Sequence, residues 1–420
     1  MNDVLNARRA RAAAAWDLRD EVVLVAAGEP ISIPGGADQT YPFLAHSEYI
    51  WLADRETPGA VVAFDPKEGW TDFVPDVTER ERVWEGKEQA AGRSIGELAG
   101  WLGARRGRVM VVLGCDLPGV RSEPARALEL RELLTHARRA KDAAEIERLK
   151  RAAAATAPGY ARLRGLIKAG VTERSLQVEL EAEFFRHGGD RTSYESIVAS
   201  GPRSAVLHAP ATQRRLGKGE LILVDAGAEV ERYACDVTRT YAVDGAFTPF
   251  QRDLYQVVLR AEENGIRNCV VGRPFRDVHL QAARDMMEGL VGMGLMRGRP
   301  DALVESEAHT LFFPHGLGHM VGLGVRDASG RLPGAKDPMP PMLSTLRTDV
   351  PLEPGYVMTI EPGIYFIPPL LQDPGRRARY KDAVNWEMAD RLLDAGGIRI
   401  EDNVLVTKDG PEVLTRAIPK

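Results

Sequence analysis

Apolar and polar positions change rhythm several times along this chain. In the first third, short runs of Val, Ile and Leu at Val22–Ala26, Tyr49–Leu52, Val61–Phe64 and Val109–Leu113 are separated by polar turns bearing Gly and Pro. That pattern predicts strands. Asp142, with Glu145 three residues on, has the form of a capping box and opens a long helical tract. Thr172 is an N-cap for the next helix, whose Leu176, Leu180 and Phe184 share a face before Gly188-Gly189 ends it. From about residue 192 the pattern is β-rich with inserted helices. Leu221–Val224 and Cys235–Tyr241 read as paired strands. Thr248-Pro249 reads as an N-cap followed by proline at the first helical position, ahead of an apolar face of Leu254, Val257, Val258 and Ala261. A strand is expected at Val357–Ile360 and a last hairpin including Ile398–Val406, with residues 367–395 as an excursion between strands. These rhythms predict a mixed α/β domain over residues 1–143 and a second α/β domain over 144–420.

Length and composition agree. A chain of 420 residues suits two cores, and 44% hydrophobic with 27% charged residues is the balance of a soluble globular protein. A formal charge of −5 gives no global reason to expect nucleic acid or an anionic membrane, and no apolar stretch reaches the length of a membrane span. Three cysteines, Cys115, Cys235 and Cys269, form neither a disulfide framework nor a C-x-x-C pair. A cytoplasmic protein is the expectation.

The chemistry concentrates in the second half. If Leu221–Glu229 and Cys235–Tyr241 form a hairpin turning near Val230 and Glu231, then Asp225 and Asp236 face each other across it. Two carboxylates about 4 Å apart repel by roughly 4 kcal/mol at an effective dielectric near 20, and a cation between them removes the penalty. The blander reading is a pair of solvated, turn-flanking aspartates. The pair has company, however. His315-Gly-Leu-Gly-His319 offers two imidazoles in a glycine-rich stretch, and Glu361 ends an apolar strand. Alternation puts Arg399 and Glu401 on one strand face with Ile398 and Ile400 on the other. Gly316-x-Gly318 resembles the start of a dinucleotide loop, but the next glycine has the wrong spacing. Four carboxylates and one imidazole balance two divalent cations, and a mostly oxygen donor set suits Mn²⁺, with Co²⁺, Fe²⁺ or Zn²⁺ as alternatives. Two such ions make a hydrolytic site.

Taken together, Ser193-Tyr194, Ser204-Ala-Val-Leu-His208, Val224-Asp225-Ala-Gly, Cys235-Asp236-Val-Thr238, Pro314-His315-Gly-Leu-Gly-His319, Leu346-Arg347-Thr, Glu361-Pro-Gly-Ile-Tyr365-Phe-Ile and Arg399-Ile-Glu401 resemble the pita-bread metallopeptidases. These are prolidase, aminopeptidase P, creatinase and methionine aminopeptidase, with prolidase the nearest look-alike. The resemblance covers the C-terminal domain and is weak over the first 140 residues. It implies a creatinase-like mixed-sheet N-terminal domain, a pita-bread (α+β) catalytic domain, and a homodimer. It also implies a ligand set of Asp225, Asp236, His319, Glu361 and Glu401, in which Asp236 and Glu401 bridge the ions. By the same resemblance Glu361 moves the catalytic proton, and His208 contacts the carbonyl as it becomes tetrahedral. His315, Tyr194 and Arg347 lie on the substrate side, Arg347 gripping a free proline carboxylate, and Arg399 and Thr238 support the ligands. One position departs from the pattern. Seven residues after His319, where the family has a histidine before an Asp, this chain has Arg326 before Asp327. Arginine donates hydrogen bonds but does not shuttle protons, so the family's substrate contacts change at Arg326, which is expected on the substrate side. If buried it needs an anion, near Asp327, in a ligand carboxylate or in a substrate carboxylate for which it is an extra cation.

The expected function is dimetal-dependent hydrolysis of the bond before proline in Xaa-Pro dipeptides. The alternatives are an aminopeptidase P acting on longer peptides and, from another class, a non-catalytic binding protein on the same fold. The last predicts missing ligands, and none is missing; the large N-terminal domain disfavours methionine aminopeptidase.

Overall fold

The computed structural model describes residues 2–332, 335, 339 and 343–420. The chain forms two compact units, the first ending at Arg138 and the second starting at Arg139. Ala143 opens a helix, Ala143–Arg164, so the second unit begins a few residues before the boundary expected. The two-domain α/β class expected is the one found.

The first unit is built on a five-stranded mixed sheet. Its strands are β1 (Val22–Ala26), β2 (Val61–Asp65), β3 (Gly69–Val74), β4 (Arg93–Ser94) and β5 (Met110–Leu113), in the order β4-β3-β2-β1-β5. β1 is buried throughout and pairs parallel with β5 and antiparallel with β2. Trp16, at the end of the helix Asn2–Trp16, meets Phe64 and Trp70 with ring centroids 5.9 and 5.7 Å away. The strand expected at Tyr49–Leu52 is instead part of a helix, Ser47–Ala53. Tyr49 to Ala53 are all buried, and a short run buried all round has no period to distinguish helix from strand.

The second unit has two halves, each a helix pair packed on short sheets. In the first half, Ala143–Arg164 and Glu173–Arg186 lie side by side. Asp142 makes the capping box with Glu145, and Thr172 caps the second helix through the Ser175 N–H. They cover β6 (Arg191–Thr192), β7 (Ile197–Ser200), β8 (Leu221–Asp225), β9 (Ala228–Val230), β10 (Tyr233–Ala234) and β11 (Thr238–Ala242), with Leu180, Phe184, Val198, Ile222 and Val224 in one core. In the second half, Pro249–Arg267, capped by Thr248 with Gln251, lies against Phe275–Gly292. Beyond the short pair β12 (Gly330–Arg331) and β13 (Thr348–Asp349) come β14 (Val357–Ile360), β15 (Gly363–Tyr365), β16 (Gly397–Arg399), β17 (Asp402–Thr407) and β18 (Gly410–Val413). Val258, Met286, Met358, Ile360, Ile398 and Val404 share the second core. The expected last hairpin forms from Asp402 onward, between β17 and β18, and Ile398 falls outside it in β16. β16 pairs with β15, while β17 pairs with β14 and β18. Between β16 and β17 the chain turns so that the Glu401 N–H donates to Thr238 O at 3.1 Å, joining the two halves.

Candidate metal centre

Asp225 and Asp236 come from one hairpin, but not in the register expected. The turn is Glu231-Arg232, both at positive φ (47° and 73°), the two-residue geometry that suits a tight hairpin. Asp225 therefore pairs with Thr238, and Asp236 lies diagonally across, two residues along. A slip of two keeps both carboxylates on one face, where a slip of one would have separated them. Between them Gly227 passes so close to the opposite strand that a Cβ there would lie 1.9 Å from Cys235 O. Asn403 fixes the Asp236 backbone from both sides, accepting from its N–H at 3.0 Å and donating to its carbonyl at 2.6 Å.

The second half delivers the other three groups. Gly318 runs against β14, where a Cβ would meet Thr359 O at 1.9 Å, and this approach carries His319 into the centre. The His319 Nδ1 lies 2.9 Å from Met320 O. Assigning the proton to Nδ1 leaves the Nε2 lone pair facing Asp236 Oδ2 at 3.4 Å and Glu361 Oε1 at 3.6 Å. Glu401 accepts from the Thr238 hydroxyl at 2.6 Å. Arg399, on the same strand face, binds Asp225 Oδ2 at 2.6 Å, the Thr238 hydroxyl at 3.0 Å and Tyr365 Oη at 2.9 Å. It thus orients one candidate ligand directly and another through Thr238.

This cluster carries more negative charge than its own cations answer. Burial raises Asp225 against the pull of Arg399. Burial and then the neighbouring carboxylates of Asp236, Glu361 and Asp225 hold Glu401 well above the carboxylate range. Burial lifts Glu361 to about 7. Burial pushes Asp236 up as well, but His319, the Tyr194 hydroxyl and Arg326 together bring it below its usual value. One oxygen or nitrogen each of Asp236, His319 and Glu401 lies within 4.8 Å of the others. The Tyr194 hydroxyl sits 2.5 Å from Asp225 Oδ1 and 2.6 Å from Asp236 Oδ1. It has one proton for two carboxylates, so a shared cation satisfies that pair better than the phenol. The donor set, hard and buried, fits divalent cations.

The remaining expected residues line a cavity of about 800 Å³ that has these groups in its wall. His315 lies in it but has both ring nitrogens engaged, Nδ1 at Gly316 O (2.8 Å) and Nε2 at Tyr365 Oη (2.9 Å). Burial and then Arg399 bring it down to about 3. His208 is exposed on the cavity wall and is lowered by desolvation and by Arg399 and Arg326. Arg347 and Arg326 also line it, and both are exposed; an anion to offset burial of Arg326 is therefore not required. Tyr194, expected on the substrate side, lines the cavity and turns its hydroxyl to the two aspartates. Thr359 and Asn403 escaped the sequence reading. The Thr359 hydroxyl accepts from the His319 N–H at 3.0 Å and reaches Glu361 Oε1 at 3.3 Å. Their only sequence signal is proximity, Thr359 two residues before Glu361 and Asn403 two after Glu401.

Comparison with known proteins points the same way. Residues 147–408 match the model of metallopeptidase family M24. A probable Xaa-Pro aminopeptidase of Fusarium vanettenii is 31% identical over 413 residues, covering 91% of this chain and 86% of that protein. One from Botryotinia fuckeliana is 35% identical over 293 residues, 69% of this chain; the match spans 63% of that relative's own length. Aminopeptidase P from E. coli, solved with the inhibitor Pro-Leu, superposes with a TM-score of 0.79 at 27% identity, covering 99% of this chain and 96% of that one. The C-terminal unit is thus the pita-bread catalytic domain that the motifs suggested, and this chain belongs to the M24 metallopeptidases.

Proposed function

We propose that this protein is an aminopeptidase P-type enzyme, removing the N-terminal residue from peptides whose second residue is proline. The observation that carries the reading is the meeting of Asp225, Asp236, His319, Glu361 and Glu401 at one cavity. They are the residues that would hold two divalent cations, with Mn²⁺ first among the candidates. Bound there, such cations supply Lewis acidity toward the scissile carbonyl and lower the pKa of a water. The protein's own groups do the rest. Glu361, lifted by burial toward neutrality, takes a proton from the attacking water and returns it to the departing proline nitrogen. His208, kept uncharged by its surroundings, donates an N–H to the carbonyl oxygen as it gains charge. Arg399 holds Asp225 in place. A homodimer and a cytoplasmic setting, the latter in keeping with three free cysteines, belong to the same proposal.

The preference for longer peptides over the dipeptides expected from sequence rests on the relatives, which are named Xaa-Pro aminopeptidases. The dipeptidase reading keeps one specific support, Arg347 on the cavity wall. Turnover of Ala-Pro, Ala-Pro-Ala and Ala-Ala by Mn²⁺-loaded protein separates the two. The expected order is Ala-Pro-Ala above Ala-Pro, with Ala-Ala uncleaved; cleavage of Ala-Pro alone would reverse it. On any Xaa-Pro acid that is cleaved, Arg347→Ala should raise KM more than on the corresponding amide. A lost charge-assisted hydrogen bond costs about 1.5–3 kcal/mol. Equal losses on acid and amide would take Arg347 out of carboxylate recognition.

A further inference from the structure

Resting on that reading, we propose that Arg326 makes this cavity selective for peptides bearing a carboxylate downstream of the scissile bond. Arg326 lines the cavity and is exposed there, with no hydrogen bond or ion pair among the described residues. It shares the cavity wall with His208, Asp236 and Glu361.

Its backbone is not free to swing. The next residue, Asp327, is 2% exposed, accepts from the Leu323 N–H at 3.0 Å and pairs with the buried Lys141 ammonium at 2.8 Å. Ala328, which follows, is held at positive φ, 46°. A guanidinium projected from a tethered loop costs less to order around a ligand than one on a mobile segment.

The charge balance says which ligand. Among the described residues, five carboxylates (Glu195, Asp225, Asp236, Glu361 and Glu401) and three guanidinium groups (Arg326, Arg347 and Arg399) line the cavity. Two divalent cations would turn this balance of about −2 into about +2. Arg399 is committed to Asp225, which leaves the positive charge on Arg326 and Arg347. An arginine fork matches a carboxylate in two parallel hydrogen bonds, where a neutral imidazole offers one donor. The carboxylate could be the free C-terminus of a short peptide or an Asp or Glu side chain of a longer one.

The experiment measures kcat/KM for two matched pairs, Ala-Pro-Glu-amide against Ala-Pro-Gln-amide and Ala-Pro-Ala against its amide, with wild type, Arg326→Gln, Arg326→Lys and Arg347→Gln. Calorimetry with the products Pro-Glu-amide and Pro-Gln-amide gives a readout free of turnover. Wild type should prefer the anionic member of at least one pair by roughly ten- to a hundredfold, the worth of one charge-assisted contact. The pair that shows it identifies the source. The ratio should collapse toward one in Arg326→Gln, survive in part in Arg326→Lys, and persist in Arg347→Gln. A wild-type ratio of one in both pairs, or a ratio that follows Arg347 and ignores Arg326, overturns the proposal. If no proline peptide is cleaved, the enzymatic reading fails, while product binding still decides whether Arg326 selects the anion.

Discussion

Glu401→Ala and Asp236→Ala are each expected to abolish hydrolysis and to strip the protein of the two proposed cations. Each side chain is buried where the two halves meet, within a few ångströms of His319 Nε2 or of the other. Losing either therefore affects the whole cluster. A cation contributes several kcal/mol to the developing charge of a hydrolytic transition state, and each ~1.4 kcal/mol is a factor of ten, so the loss is about a thousandfold or more. Metal analysis should find well below two ions per chain in both variants. Wild-type turnover with two bound ions in either one would remove that residue from the centre. Thr238→Ala provides a milder comparison. It takes away the hydroxyl that binds Glu401 and receives Arg399 without deleting a charge, and a loss of roughly 10–100-fold fits such a supporting role.

Chelation lowers the melting temperature by about 10 °C or more and makes it depend on pH. Each ion present at a hundred times its Kd stabilises by roughly 2.7 kcal/mol, and a domain approaching this size shifts by about 2–4 °C per kcal/mol. The pH sign follows from the raised carboxylates. Glu361, at about 7 in the fold against 4.5 when exposed, holds its proton in the folded state across a window where the unfolded chain has released it; Glu401 is raised in the same direction. At these two groups the folded state then binds more protons, so their contribution to metal-free stability is greatest below about 4.5 and falls as pH rises through 7. With cations bound the carboxylates are neutralised and the slope flattens. Thermal melts with and without chelator between pH 5 and 7.5 check both parts. Identical curves would argue against a buried carboxylate cluster that needs cations.

Helix starts were legible from sequence because a cap is local. Asp142 with Glu145, Thr172 with Ser175, and Thr248 with Gln251 each lie within three residues. The acids and His319 were legible because glycine-rich and strand-end motifs bracket them. Register was not. The turn at Glu231-Arg232 uses two non-glycine residues at positive φ, which composition does not announce. The two-residue slip was harmless only because it preserved the face. Tyr49–Leu52 misled because burial on every side erases periodicity. The Arg399 bonds to Asp225 and Tyr365, and the Thr359 support of His319, join residues 34 to 174 positions apart. Nothing in a single sequence pairs them. Tyr194 shows the same limit, since its hydroxyl meets the aspartates only once the hairpin is folded.

The bridge between Thr238 and Glu401 closes a loop of 163 residues, and that has a kinetic side. Contacts so far apart along the chain are entropically expensive to form early. The cluster is therefore completed after each half has condensed on its own helices. Interactions absent from the folding transition state show up in the unfolding rate. A divalent metal should accordingly act as a clasp, leaving the refolding arm of a chevron plot in place while slowing the unfolding arm. Metal-accelerated refolding would instead put the seam into the nucleus. A centre with this behaviour protects the folded enzyme by lengthening its lifetime, without directing how the chain finds its shape.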